Sequence, residues 1–127
     1  MTILRRSILY FFGAFFIAFG ITGLFDPGLI ASKMHMLPTT IAGTGEVRGL
    51  YGGGFSGFGL VILAGLRSPA GKGLLLAMSI IMSGVIIGRL FSMGLDHEFA
   101  FAMPAAIAEF LVASLCYLEY RSQTTLS

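Results

Sequence analysis

Four apolar segments of about 20 residues each dominate this chain of 127 residues. They extend over residues 4–24, 46–66, 73–93 and 99–120. Since an α-helix rises 1.5 Å per residue, each segment is long enough to cross the ~30 Å hydrocarbon core of a bilayer. Backbone groups in lipid must be satisfied within the segment or a closed sheet, and this favours helices. We therefore expect an all-α integral membrane four-helix bundle, with a single membrane domain over residues 1–127.

The composition agrees with a membrane protein. Hydrophobic residues make up 56% of the chain and charged residues 11%, whereas a soluble domain carries about a quarter charged residues. The net charge of +2 is spread over scattered basic residues, so the lipid bilayer, and not nucleic acid, is the expected partner. Cys116 is the single cysteine. The Asp96-His97-Glu98 loop is charged, but charged side chains in loops are usually solvated. We therefore expect no metal site and no cofactor.

Basic residues flank the apolar segments unevenly, and this predicts orientation. Cytoplasmic loops of membrane proteins carry an excess of Lys and Arg. With the N-terminus inside, the outer connections hold only Lys33. The inner ends then hold Arg5, Arg6, Arg67, Lys72 and Arg121. Both termini are therefore predicted to be cytoplasmic.

The long outer connection, residues 25–44, contains a helix-start pattern. Asp26-Pro27 fits an N-cap followed by proline at the first helical position. The residues expected on one apolar face are Leu29, Ile30, Met34 and Leu37. We predict a short amphipathic helix at the outer surface or over the mouth of the bundle, with an irregular loop as the alternative.

Small residues recur along the predicted helices at helical spacing. Helix two carries Gly45, Gly49, Gly53 and Gly57, and helix three carries Gly84 and Gly88. Lipid offers no hydrophobic drive for helix association, so close backbone approach over small residues supplies packing energy instead. We predict that these glycines pack helices within the bundle and, as a further role, in self-association.

Four charged residues of the apolar segments are candidate site residues: Glu46, Arg48, Arg89 and Glu109. Insertion scales penalise such a residue by about 2.5–3.5 kcal/mol at the helix centre, so these side chains are expected to face inward and pair. Counted from residue 99, Glu109 lies about 15 Å into helix four, close to the midplane. The functional hypothesis is an outward-facing polar pocket, closed by Glu109, that binds a small amphiphile, a lipid headgroup or an ion.

A structural interpretation of the same charges stays open. Glu46 could serve the positive end of a helix dipole behind a Thr44 N-cap. Arg48 and Arg89 could extend to the headgroups, and an Arg89–Glu109 pair could hold the helix register. Glu109 fits this interpretation least well, because a glutamate cannot reach the surface from mid-depth.

Residues 46–53, E-V-R-G-L-Y-G-G, resemble the E-x-R-G-x-Y-G-G signature of small bacterial four-helix membrane proteins grouped as a domain of unknown function. Arg89 and Glu109 are similar to that family's other polar positions. A looser similarity is to the DoxX-like four-helix proteins, which include accessory subunits of membrane redox systems. The resemblance implies a bacterial inner-membrane location and one shared site of Glu46, Arg48, Tyr51, Arg89 and Glu109. It implies no established reaction.

Three functions are consistent with these patterns. The first is a non-enzymatic accessory or scaffold protein that binds another membrane protein, or itself, through glycine-rich faces. The second is a small-molecule or lipid-binding protein, transporter-like, that uses the polar pocket. The third, an enzyme with Glu109 as acid or base, is least favoured because no nucleophile or metal set accompanies that residue.

Overall fold

A computed structural model describes residues 2–97, 99–100 and 102–125. All regular structure in this part of the chain is helical. The helices are α1 (Thr2–Phe25), α2 (Pro27–Lys33), α3 (Ile41–Glu46), a π-helix (Val47–Gly54), α4 (Phe55–Arg67), a 3-10 turn (Pro69–Gly71), α5 (Lys72–Asp96) and α6 (Ala102–Thr125).

Four helical stretches within the described residues are long and apolar enough to cross a bilayer. They cover Thr2–Phe25, Ile41–Arg67, Pro69–Leu95 and Ala102–Thr125. The predicted all-α class and the four apolar helices are thereby confirmed, and they indicate a multi-pass membrane protein. The direction in which the helices cross the membrane stays a prediction.

The largest differences from the predicted helix bounds are at the start of the second span and at the end of the fourth. The second span begins at Ile41 and not at Glu46, because Thr40 is the N-cap and its hydroxyl accepts a hydrogen bond from the Gly43 amide at 3.0 Å. Glu46 is therefore the last residue of α3. Helix-dipole effects fall off within one turn, so a dipole role for Glu46 behind a Thr44 cap is wrong. The last helix extends to Thr125, about one turn beyond the predicted end.

The predicted outer-loop helix is present as α2. Asp26 caps it by accepting a hydrogen bond from the Leu29 amide at 3.0 Å, and Pro27 is the first helical residue. The apolar side differs from the predicted one, because the helix ends at Lys33 and both Leu29 and Leu37 are exposed. Its buried residues are Pro27, Ile30 and Ala31, and the last two pack with Val47, Phe19, Met34, Met36 and Tyr51.

The chain divides into two compact units. The α5–α6 unit comprises Met1–Leu9 and Ala64–Ser127, and the α2–α3 unit comprises Tyr10–Leu63. A single membrane domain over residues 1–127 stays a prediction. Each unit has its own packing.

In the α5–α6 unit, two long helices form a hairpin around buried side chains. Those of α5 are large, and those of α6 are mostly small, so a small residue on one helix admits a large one on the other. The buried apolar residues are Leu75, Met78, Met82 and Met93 on α5, and Ala102, Ala106, Val112, Ala113 and Cys116 on α6. By their spacing, Ala102, Ala105, Ala106, Ala113 and Cys116 share the helix face of Glu109, and all of them are buried except Ala105, which is half-buried.

In the α2–α3 unit, α1 and the second span approach closely over glycines. A Cβ added at Gly23 would lie 3.0 Å from the Gly52 nitrogen, and one added at Gly13 would lie 2.7 Å from Leu63 Cδ2. A Cβ at Gly20 would collide with Ser56. Such contacts between small residues are a main source of helix association in lipid. The glycines that carry this packing are Gly13, Gly20, Gly23, Gly52 and Gly59.

Candidate functional site

The predicted Arg89–Glu109 pair is formed in the α5–α6 unit. Arg89 Nε donates to both carboxylate oxygens of Glu109, at 2.7 and 2.9 Å. The helical hairpin brings the two side chains to the same height, because each residue lies about 10 Å, by helical rise, from the hairpin end of its helix. Because α6 begins at Ala102, Glu109 is less deep along its helix than counting from residue 99 suggested. The two side chains remain 21% and 13% exposed, so the pair lies at the edge of the packed interior.

The other predicted site residues belong to the α2–α3 unit. Arg48 is exposed, and its Nε donates to the Leu24 carbonyl at 3.2 Å. Glu46 is exposed at the end of α3. Tyr51 is partly buried and stacks on Phe55, with ring centroids 5.8 Å apart. A single pocket that combines these residues with Arg89 and Glu109 stays a prediction.

The α5–α6 unit contains a second charged cluster, which the sequence analysis missed. Glu119 on α6 is only 1% exposed. Its Oε2 accepts a hydrogen bond from Arg5 Nε at 2.8 Å and lies 2.6 Å from Arg5 Nη2. Its Oε1 accepts from Gln123 Nε2 at 3.2 Å and lies 3.5 Å from Arg6 Nη1. We call Arg5, Arg6, Glu119 and Gln123 the terminal polar cluster.

Backbone carbonyls from the end of α4 complete the terminal polar cluster. Arg6 Nη2 donates to the Leu66 carbonyl at 2.6 Å, and Gln123 Nε2 lies 3.5 Å from the Gly65 carbonyl. The last carbonyls of a helix have no intrahelical partner, so side-chain donors stabilise them. The cluster thus joins the beginning of α1, the end of α4 and the last third of α6.

Two buried polar atoms of this cluster have no hydrogen-bond partner among the described residues: Arg5 Nη2 and Gln123 Oε1. Arg5 Nη2 is close to Glu119 but in an ion-pair contact without hydrogen-bond geometry. Leaving a buried donor or acceptor unsatisfied costs about 1–3 kcal/mol. Two arginines also share one carboxylate, so the cluster carries an excess positive charge.

Arg5 and Arg6 were predicted to mark the cytoplasmic side, and no role was predicted for Glu119. A signal was present, however. Glu119 and Gln123 follow Cys116 at i+3 and i+7, so all three lie on one helix face, the face that already carries Glu109. Extending that face by two turns would have predicted a buried glutamate in need of a partner.

The predicted glycine stripe runs through a π-helix, in which Gly49 and Gly53 lie, while Gly45 precedes it and Gly57 follows it. The π-helix Val47–Gly54 covers eight residues, although π-helices are rare and mostly single turns, often at functional sites. A Cβ added at Gly45, Gly49, Gly53 or Gly57 would have no described atom of the α2–α3 unit within 4 Å. These glycines therefore do not pack helices within their own unit. We call them the open glycine face.

Gly84 and Gly88 on α5 give the same result. A Cβ at either position would have no described atom of the α5–α6 unit within 4 Å. In that unit the tight glycines are Gly65 and Gly71. An added Cβ would lie 2.7 Å from Leu75 Cγ at Gly65 and 2.7 Å from the Ala64 carbonyl oxygen at Gly71. The glycines spaced four residues apart meet no described atom of their own unit, whereas the close internal contacts fall on glycines outside that series.

The Asp96-His97-Glu98 loop is described only in part. His97 ends α5 in a left-handed backbone conformation, with φ 57°. Glu98 and the side chain of Asp96 lie outside the described residues. The prediction about metal binding there is therefore not addressed by the described geometry.

Comparison with known proteins gives one family match. The model of a domain of unknown function, DUF4345, matches residues 4–120. No curated protein matches the chain, and no solved structure does.

Proposed function

Because the chain belongs to the DUF4345 family, whose function is unknown, we propose its function from its own geometry: it is a non-enzymatic membrane protein that acts by association through the open glycine face. The observation that carries this proposal is the absence of any neighbour at that face within its unit, while other glycines supply the internal packing. A row of glycines lets another helix backbone approach closely, which is the main attraction available between helices in lipid.

The partner that fits this face best is a second copy of the chain. Glu46 and Arg48 are both exposed beside Gly45 and Gly49, and they carry opposite charges. In a two-fold dimer each residue meets its complement on the other copy. An axis along the membrane normal would place Glu46 of one copy about 3 Å in height from Arg48 of the other, which suits an ion pair.

The π-helix supports the same proposal. A π-helix widens the helix and shifts the positions of the side chains that follow it. Four of its eight residues are glycine, namely Gly49, Gly52, Gly53 and Gly54. Glycine disfavours a helical segment by about 1 kcal/mol relative to alanine, so this composition is costly unless close approach requires it. Gly52 is explained by contact with Leu24 in the same unit, and Gly49 and Gly53 are explained by a second copy.

Cysteine crosslinking tests the proposal directly, since Cys116 is the single native cysteine. In a Cys116→Ser background, Gly49→Cys in native membranes is expected to form a disulfide-linked dimer under mild oxidation. Ile107→Cys, on an exposed apolar position of α6, is the matched control and is expected to remain monomeric.

A second variant pair separates association from folding. Gly53→Leu is expected to abolish the dimer, because its side chain would hold the two backbones apart. Gly73→Leu is the control, since Gly73 is exposed and an added Cβ there also meets no described atom of its unit. Equal crosslinking at Gly49 and Ile107, or dimers that persist in Gly53→Leu, would contradict the proposal. If Gly49→Cys forms a disulfide with a different membrane polypeptide, the protein is a heteromeric scaffold and does not act by self-association.

The alternative function is a small-molecule or lipid-binding, transporter-like protein with a polar pocket of Glu46, Arg48, Arg89 and Glu109. The partial exposure of the Arg89–Glu109 pair favours it, since a purely structural pair could be fully enclosed. A pocket predicts that Glu109→Gln loses a co-purifying small molecule and keeps the dimer. Association through the glycine face predicts that Gly53→Leu loses the dimer and that Glu109→Gln keeps it.

We assign the protein to the bacterial inner membrane, with both termini in the cytoplasm. The basic residues at the ends of the spans support this orientation. Fusion of a periplasm-active reporter at Ser127 is expected to give no signal, whereas its insertion after Met36 is expected to give a strong one. The opposite pattern would reverse the orientation.

A further inference from the structure

We propose that the terminal polar cluster is a binding site for an anionic phospholipid whose headgroup carries a free hydroxyl, as in phosphatidylglycerol. Its residues are distinct from those of the open glycine face and of the Arg89–Glu109 pair. It lies entirely within the α5–α6 unit.

The position of the cluster suits a lipid headgroup. Arg5 and Arg6 lie in the first two turns of α1, and the Leu66 carbonyl lies at the end of α4. Glu119 and Gln123 lie in the last turns of α6. All are at the ends of apolar spans, and the ends of a span are where the hydrocarbon core gives way to headgroups.

The local charge suits an anion. The same helix ends carry five basic residues and a single acidic one, Glu119. Arg5 neutralises the charge of Glu119, with Arg5 Nη2 at 2.6 Å from Glu119 Oε2. Arg6 Nη1 is 3.5 Å from Glu119 Oε1, and the Arg6 side chain is 38% exposed. Arg67 and Arg121 are exposed beside them. Basic pockets at the ends of membrane helices bind anionic headgroups.

An unpartnered acceptor selects the kind of headgroup. Gln123 Oε1, in a residue only 6% exposed, accepts no hydrogen bond from any described residue. A headgroup hydroxyl donates to it, while the phosphodiester oxygens accept from Arg6, whose side chain is 38% exposed. A simple anion could pair with Arg6 but could not satisfy Gln123. A choline headgroup offers neither a net negative charge nor a donor.

Native mass spectrometry of the protein in non-ionic detergent tests the proposal with three lipids of equal chain length. Phosphatidylglycerol carries both groups, phosphatidylmethanol has the same charge without a hydroxyl, and phosphatidylcholine has no net charge. The wild-type protein is expected to retain phosphatidylglycerol best, phosphatidylmethanol less and phosphatidylcholine least. A basic residue near an anionic surface changes binding by about fivefold, so Arg6→Gln is expected to lower phosphatidylglycerol retention by about that factor.

Two further variants separate the parts of the site. Gln123→Met is expected to remove the preference for phosphatidylglycerol over phosphatidylmethanol and to keep the preference of both over phosphatidylcholine. Lys33→Gln is the matched control, because it removes the same charge from an exposed residue of the α2–α3 unit. It is expected to change nothing. If Arg6→Gln does not fold, Arg121→Gln takes its place, since that side chain is exposed.

Several results would overturn the proposal. Equal retention of all three lipids would leave the cluster as a structural tie whose free atoms bind water. An equal loss in Lys33→Gln and Arg6→Gln would show attraction to charge in general. Complete displacement of the lipid by excess inorganic phosphate would identify free phosphate, and not a lipid headgroup, as the ligand.

Discussion

Removing the charge of Glu119 is expected to destabilise the α5–α6 unit more than any other single change of charge in it. Glu119→Gln keeps the size of the side chain and removes the counter-charge of Arg5 and Arg6. The carboxylate accepts one hydrogen bond from Arg5 and one from Gln123, and hydrogen bonds to charged groups contribute about 1.5–3 kcal/mol each. The more distant Arg6 is half exposed and adds little. Removing one partner of a buried pair costs about 3–5 kcal/mol, and these contacts support that range.

The single cysteine supplies the assay. Cys116 is fully buried and lies one turn before Glu119 on the same helix, so its thiol reacts with a maleimide only when α6 opens. Alkylation and circular dichroism, followed together during SDS titration in mixed micelles, give the free energy of unfolding of each variant. Lys33→Gln is the control, because Lys33 is exposed in the α2–α3 unit, and it is expected to leave the unfolding free energy unchanged.

A double variant tests the cause of the effect. Arg5→Gln combined with Glu119→Gln removes both charges of the close pair, and it is expected to recover about 1–3 kcal/mol relative to the sum of the single changes. The reasoning would be refuted by a loss below about 1 kcal/mol in Glu119→Gln. It would equally be refuted if the double variant lost as much as the sum of its parts.

Two other predictions concern packing and the second ion pair. Gly20→Ala is expected to destabilise the protein by about 1–3 kcal/mol, because the added methyl would collide with Ser56. Gly84→Ala is expected to be neutral or to stabilise it by up to about 1 kcal/mol, since the added methyl meets no described atom of its unit. SDS unfolding measures both variants, and a larger loss of stability in Gly84→Ala than in Gly20→Ala would contradict the assigned contacts. Arg89→Met and Glu109→Met are each expected to cost stability, and the double variant is expected to show a coupling of about 0.5–3 kcal/mol in unfolding titrations. A coupling near zero would mean that the two side chains do not stabilise each other.

Much of the secondary structure could be predicted from the residues alone. Spans of apolar residues determine membrane helices because lipid cannot satisfy backbone groups, and four such helices are present. The Asp26-Pro27 start of α2 was predictable because a cap depends only on neighbouring residues. The Arg89–Glu109 pair was predictable because a hairpin brings residues equally far from its turn to the same height.

Other features could not be predicted from local patterns. The second span starts one turn early because Thr40, and not Thr44, caps it, and both threonines suit that role. The π-helix has no sequence signal beyond its glycines. Glu119 pairs with a residue 114 positions away, so no spacing rule connects them.

The sequence by itself determined that the chain is helical, that it has four membrane-length spans, and where its charges enter them, because these properties depend on hydropathy and spacing within about 20 residues. The tertiary structure decided which glycines pack and which stay open, and that Glu119 is buried against Arg5. Those outcomes depend on how each helix is rotated about its axis against its neighbours. In lipid, where every face can be apolar, hydrophobicity does not set that rotation, and close contacts and polar pairing do.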